Sequence, residues 1–282
     1  MIRIIPGLVF AMLLISTTSY GAEKLLITDV LSKREAEAEA SFTYARGSLH
    51  FYSPPPISAT AKSTLNLSLL ECSLGLGLGH GFQVEASIPY ALSVRSGARY
   101  YVFPPESVRT RREGFGDIAL GAKYEVFSEK EKPFSLVAGM GIKFDTASEK
   151  DWGTGTTDIS PFVAASTTLG RAIRPYAAYQ LTVRNHGERD THVLGLGVEK
   201  ELNDTVGLMP FLEASFHNST DTLSSYETYV FGVQSYVRIY RDFYAIPGIG
   251  FEIDTPVRRK DIELRFDSSE GIQIGLSLYR LF

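Results

Sequence analysis

The chain has 282 residues, 44% of them hydrophobic and 12% aromatic, with a formal net charge of −4 and one cysteine. So small a charge, with no Lys/Arg-rich block, excludes a nucleic-acid-binding surface. Cys72 alone excludes an intramolecular disulfide and a cysteine-based metal site.

The N-terminus reads as a processing signal. Arg3 precedes an apolar run over residues 4–15, and Ser19 and Gly21 place small residues before a cut. This is the pattern of a secretory signal peptide, too short to span a membrane. Residues 1–21 are expected to be removed. Residues 22–34 then form a short periplasmic segment, and 35–282 form the fold. No later stretch reaches the roughly 18 consecutive apolar residues of a transmembrane helix.

The first element covers residues 35–44. Ala36, Ala38, Ala40, Phe42 and Tyr44 alternate with Glu35, Glu37, Glu39, Ser41 and Thr43. Glu and Ala favour helices, but period two would scatter the acids around a helix, whereas on a strand it sorts them onto one face. The same alternation recurs from Phe82 to Leu92, Ile118 to Val126, Phe134 to Phe144, Leu208 to Phe216 and Ile272 to Leu278. Less regular strands are expected near 64–78, 157–169, 174–184, 191–200, 227–239 and 243–254, which makes twelve. Short connections (79–81, 128–133, 170–173, 201–206, 240–242) alternate with longer polar ones (47–61, 95–113, 147–156, 185–190, 218–226, 255–270). This alternation predicts an all-β, transmembrane, antiparallel up-and-down barrel with both ends on the periplasmic side.

A soluble sandwich also alternates, but it buries its apolar face. Here the opposite face carries mid-strand charges: Glu37, Glu39, Glu85, Asp117, Lys123, Lys143, Arg184, Glu213 and Arg238. A wet lumen tolerates them, so these nine are the expected pore-lining residues. Tyr44, Phe82, Tyr90, Tyr124, Phe134, Phe144, Phe216, Phe243 and Tyr244 lie near strand ends, as interfacial girdles require. The chain ends inside an alternating strand at Phe282. A terminal aromatic of this kind resembles the signal read by the barrel-assembly machinery of the outer membrane.

Asp117 and Lys123 share the inner face, where they could set selectivity or brace the wall. Gly75, Gly77, Gly79 and Gly81 alternate with Leu on a strand and lead into no helix. They read as close-packing or turn residues and not as a phosphate cradle. His217 and Ser219 share a face, the one arrangement that could serve a barrel-embedded lipid hydrolase. Its parity points to the lumen, and no orienting acid stands at a fitting offset. No enzyme activity, catalytic residue, metal site or cofactor is expected. Arg99, Arg109, Arg111 and Arg112 in the second long connection could meet anionic lipopolysaccharide.

Four stretches together resemble a known family. They are Leu26-Ile27-Thr28-Asp29; the Gly/Leu strand, turn and strand from Gly75 to Tyr90; Gly114-Phe115-Gly116-Asp117-Ile118-Ala119-Leu120-Gly121-Ala122-Lys123-Tyr124; and Gly153-Thr154-Gly155-Thr156-Thr157-Asp158. The family is the bacterial outer-membrane "transporter" group named after the meta-pathway of phenol degradation. The resemblance implies a barrel that passes hydrophobic or aromatic solutes. Passive transport is therefore the expected function. The alternatives are a plugged structural or surface-interaction barrel and the lipid hydrolase.

Overall fold

The computed structural model describes residues 28–52, 60–100, 106–129, 131–148, 155–170, 172–185, 188–260 and 264–282. The expected signal peptide and Leu26-Ile27 lie outside them. Among the described residues fifteen strands form one antiparallel sheet. They are β1 (Ala36–Tyr52), β2 (Thr60–Gly79), β3 (Phe82–Tyr100), β4 (Glu106–Phe115), β5 (Ala119–Phe127), β6 (Ser135–Lys143), β7 (Asp158–Ser166), β8 (Ile173–Arg184), β9 (Thr191–Asn203), β10 (Val206–His217), β11 (Tyr226–Tyr240), β12 (Phe243–Asp254), β13 (Val257–Arg259), β14 (Leu264–Phe266) and β15 (Ser269–Leu281). β4 and β5 are two parts of one wall strand, both paired to β3. β13 and β14 are a small hairpin over the end of β1. The wall is thus a closed barrel of twelve strands.

Closure is explicit. β1 pairs with β2 on one side and with β15 on the other, with Ala40 opposite Leu278 and Tyr44 opposite Ile274. Phe282 N–H donates to the Ala36 carbonyl at 2.8 Å, and Ala36 N–H returns the bond at 3.2 Å. The Glu-Ala strand and the terminal strand meet as expected.

One parity faces inward around the whole wall. Outward residues such as Leu74, Leu120, Val163, Leu196, Leu212, Ile249 and Leu276 are exposed and apolar. An exposed apolar belt on a closed sheet is the surface of a membrane-spanning barrel, where every backbone group is paired within the wall. Aromatic pairs stand at both rims: Phe82–Tyr124 (4.6 Å between centroids) and Phe127–Phe134 (5.7 Å) at the turn end, Tyr90–Phe115 (4.8 Å) at the loop end. Leu196 lies halfway along β9 on this belt. Leu196→Arg should cost about 2–4 kcal/mol of folding stability in lipid, the depth-dependent penalty for a charge at the midplane. Urea-driven unfolding from vesicles checks it, and a change under about 0.5 kcal/mol would contradict the lipid-facing assignment.

Two expectations need correction. The stretches 47–61 and 95–113 were expected to be outer loops, yet β1, β2 and β3 continue into them, with 17, 20 and 19 residues. The reason is that alternation continues: Leu49, Ala61, Leu65 and Leu67 stay buried on the inner side. At 3.3 Å per residue, β2 spans about 65 Å and the nine-residue β6 about 30 Å, so the wall is tall on one side. Second, Tyr244 does not join a girdle. It faces the lumen, next to Tyr236 and Tyr279, because even positions of β12 point inward.

Candidate functional site

All nine expected pore-lining residues lie on the inner parity; most are packed into networks, while Glu37, Glu39 and Glu85 line one cavity of the bore and Arg238 another. Two assemblies result, one at each end of the bore.

At the loop end a belt of polar side chains runs across successive strands. Asp117 sits in the break between β4 and β5. Its Oδ1 accepts from the backbone N–H groups of Thr146 and Ala147, both at 3.0 Å, and Ile118 N–H donates to Thr146 Oγ1 at 2.8 Å. Asp117 therefore anchors the connection after β6. Lys143 bridges Asp117 (3.5 Å) to Asp158 (2.9 Å). Asp158 also accepts from Arg184 Nε (3.2 Å) and Thr156 Oγ1 (2.6 Å).

The belt continues in one direction. Arg184 Nη1 donates to Thr191 Oγ1 at 2.8 Å, so the Thr191 hydroxyl proton is free to donate to His217 Nδ1 at 3.1 Å. Thr228 Oγ1 donates to Asp254 Oδ1 at 2.6 Å, so it accepts from His217 Nε2–H at 3.3 Å. Both rules together fix a neutral His217 with its proton on Nε2. Asp254 Oδ2 takes a further bond from Ser269. A continuous path from Asp117 on one wall to Ser269 beside β1 results. Fully paired buried networks of this kind rigidify a structure. Ser219 takes no part: it is exposed in the connection after β10, while His217 spends both nitrogens on threonines. The hydrolase pair is not assembled.

At the turn end, residues 28–35 cross the bore. Thr28 Oγ1 meets Ser166 Oγ on β7 at 2.8 Å. Asp29 forms a salt bridge to Arg174 on β8 at 2.5 Å, and its carbonyl accepts from Lys123. Leu31 N–H donates to Gln83 Oε1 (2.9 Å), Gln83 donates to Glu37 (2.7 Å), and Glu37 also accepts from Tyr279 (2.9 Å). Arg34 N–H then reaches the Gly77 carbonyl at 3.0 Å. Gly77 is a close-approach position: a Cβ there would stand 2.0 Å from the Ser32 carbonyl oxygen. Gly79, His80 and Gly81, with φ of 91°, 55° and 75°, make the adjacent turn. Below the crossing a cavity of about 620 Å³ is lined by Asp29, Arg174, Glu199, Tyr236 and Arg238, among others. Arg238 is held by Tyr244, which accepts from its Nε at 3.2 Å.

Aromatic rings lie on glycines of the neighbouring strand: Phe162 on Gly139 and Phe211 on Gly232 midway along the bore, Tyr176 on Gly197 and Tyr236 on Gly207 nearer the turn end. A Cβ at any of these glycines would meet the ring at 2.2–2.7 Å, so only Gly lets the ring lie down. Glu85 lies over Gly121 and Glu37 over Gly75 in the same way. Glu213 accepts from Ser215 at 3.5 Å. On the tall side, Leu65, Leu67, Ala91 and Val94 form a buried apolar cluster on the inner face, covered by Ala45, Leu69 and Ala147.

Several of these residues were not singled out from the sequence: Asp29, Arg174 and Glu199, Gln83 and Tyr279, Thr191, Thr228 and Asp254. All of those on strands share the inner parity already identified, so parity was the available signal. Asp29 had none beyond its place in the Leu26–Asp29 stretch.

No family model and no curated protein matches the sequence. Solved structures do. The chain is similar to the COG4313 outer membrane channel from Pseudomonas putida F1, with a TM-score of 0.66 at 14% identity over 91% of this chain and 98% of that one. The P. putida toluene transporter TodX (TM-score 0.47, 9% identity, 88% and 90% covered) and the CymD monoaromatic hydrocarbon channel (0.45, 10%, 89% and 89%) are more distant. At such identities the likeness establishes the barrel fold.

Proposed function

We propose that this barrel admits small hydrophobic or aromatic solutes across the bacterial outer membrane by passive diffusion. The observation that carries it is the bore itself. Aromatic rings laid on glycines line it from its middle to the turn end. Such a surface partly desolvates an apolar solute. The crossing by residues 28–35 narrows the aqueous path at the other end. The resemblance to the phenol meta-pathway transporters agrees with this reading, as does the fold shared with the P. putida channel.

The test uses cells with intact lipopolysaccharide, which excludes apolar dyes. Expression of the barrel should speed entry of N-phenylnaphthylamine relative to vector alone. Equal rates would overturn the proposal. They would favour the second reading, a closed structural barrel, which the crossing segment and the braced belt support.

Two partners follow. Arg95 and Arg111 are exposed cross-strand neighbours on the outer side of the tall wall. Like charges directly opposite repel unless an anion lies between them, and lipopolysaccharide phosphate supplies one. Higher on the same hairpin Arg99 pairs with Ser107 and Arg109 with Gly97. Arg112, opposite Val94, falls on the inner side and is not part of this face. Phe282, exposed at the closing seam, is the contact offered to the assembly machinery.

A further inference from the structure

Arg189 lies in the connection between β8 and β9 and folds over the inner face of β10 and β11. It is only 4% exposed. Its guanidinium carbon stands 4.8 Å from the centre of the Tyr226 ring, and Tyr226 stacks on His217 at 4.1 Å. Nε, Nη1 and Nη2 of Arg189 are all buried without a hydrogen bond, and so is the Tyr226 hydroxyl. Burial lowers the Arg189 pKa, with Tyr226 and Glu188 acting against it.

Buried guanidinium groups are costly to leave unanswered, and native structures rarely do so without an ion or ligand at the site. The neighbouring acids are committed elsewhere. Asp158 serves Thr156, Lys143 and Arg184; Asp254 serves Thr228 and Ser269; Asp190 accepts from the Arg184 backbone. Glu188 is exposed and acts on Arg189 only through its charge. The unanswered groups are donors: five N–H of a guanidinium and one phenol O–H. Their complement is an acceptor-only group with two oxygens, which a planar guanidinium grips bidentately. Further down the same inner face stand the buried Val193 and Val230 and, on the strand between them, the half-buried Phe211.

We propose that Arg189 and Tyr226 form a binding site at the outer end of the bore for the carboxylate of an apolar organic acid, whose body lies on the Phe211 ring. The inference rests on the bore being a path for apolar solutes, and it names the class: acids with an apolar body. Arg189 is borne on a connection, so its side chain can leave the Tyr226 ring. The stacking it gives up is weaker than the bidentate pair it gains.

Calorimetry on the intact barrel in detergent tests this, with benzoate as probe and benzyl alcohol as its neutral match. Benzoate should bind, and benzyl alcohol should bind about tenfold more weakly or worse. Arg189→Gln and Tyr226→Phe should each weaken benzoate by about tenfold or more, the worth of one charge-assisted hydrogen bond, and leave benzyl alcohol unchanged. Equal benzoate affinity in the wild type and Arg189→Gln overturns the site. So does a wild type that binds no benzoate, or one that prefers inorganic phosphate. Should Arg189→Gln fail to fold, Tyr226→Phe decides alone. Dye entry with benzoate binding indifferent to Arg189 defeats this inference only. Arg189-dependent binding without dye entry defeats the transport reading only.

Discussion

Deletion of residues 22–34 should raise the single-channel conductance of the purified barrel severalfold in planar bilayers. The described part of that segment crosses the turn end of the bore from Ser166 and Arg174 to Gly77, on strands that lie nearly opposite one another around the wall. A twelve-stranded barrel has only a modest bore, so one strand-width of backbone across it removes much of the ion path. The wall itself should survive. The β1 ladder begins at Ala36, and its pairing with β15 uses no residue before that. Water entering the opened bore can take over the bonds of Ser166, Gln83 and Lys123. The Asp29–Arg174 pair is cheap, since Asp29 is 41% exposed in it and pairs this wet are worth about 0–1 kcal/mol. Conductance equal to that of the intact chain would mean that the crossing does not limit the pore.

Asp158→Ala should destabilise the folded barrel by about 3–5 kcal/mol, the cost of stranding a buried charge. Asp158 is the node of the loop-end belt. It answers Lys143, Arg184 and Thr156 at once, and the Arg184 side chain is 4% exposed. Lys143 contributes little of the loss, because its side chain is 22% exposed and keeps Asp117 at 3.5 Å. Arg184 retains bonds to the Arg189 carbonyl and Thr191, but these are neutral acceptors that do not cancel its charge. Asp158→Ala combined with Arg184→Met removes the stranded cation and should recover most of the stability. Urea unfolding in detergent micelles, read by the heat-modifiable gel shift, measures both. A single variant within about 0.5 kcal/mol of wild type would show that the belt does not brace the wall.

Much of this fold is legible from alternation. In β1, the run from Glu35 to Tyr44 identifies the strand, its inner face and its partner at the chain end. The positions of the twelve strands and the short connections follow in the same way. The height of the wall was not legible, because the Pro and Gly residues near 47–61 mimic a loop while Leu49, Ala61 and Leu65 continue the strand. Tyr244 was misplaced for a related reason. It neighbours Phe243 in sequence, but consecutive strand residues face opposite sides.

The candidate site was legible as a face and not as a site. Parity placed Glu37, Asp117, Lys143 and Arg184 inside, and the structure keeps them there. Parity says nothing about height along the bore or about who stands across it. His217 illustrates this: its sequence neighbour Ser219 lies outside, while Thr191 and Thr228, from two other strands, take its nitrogens.

The sequence by itself therefore determined the period, and the period determined the strand, the lipid face, the lumen face and the closed barrel, since unpaired edges cannot exist in lipid. Tertiary structure alone decided the contents of the lumen. Register and closure bring together residues far apart in the chain, such as Glu37 with Tyr279, Thr28 with Ser166, and Asp29 with Arg174. A local pattern carries no information about those distances. Whether an inward charge is a pore wall, a brace or a ligand clamp depends on which group the fold sets opposite to it.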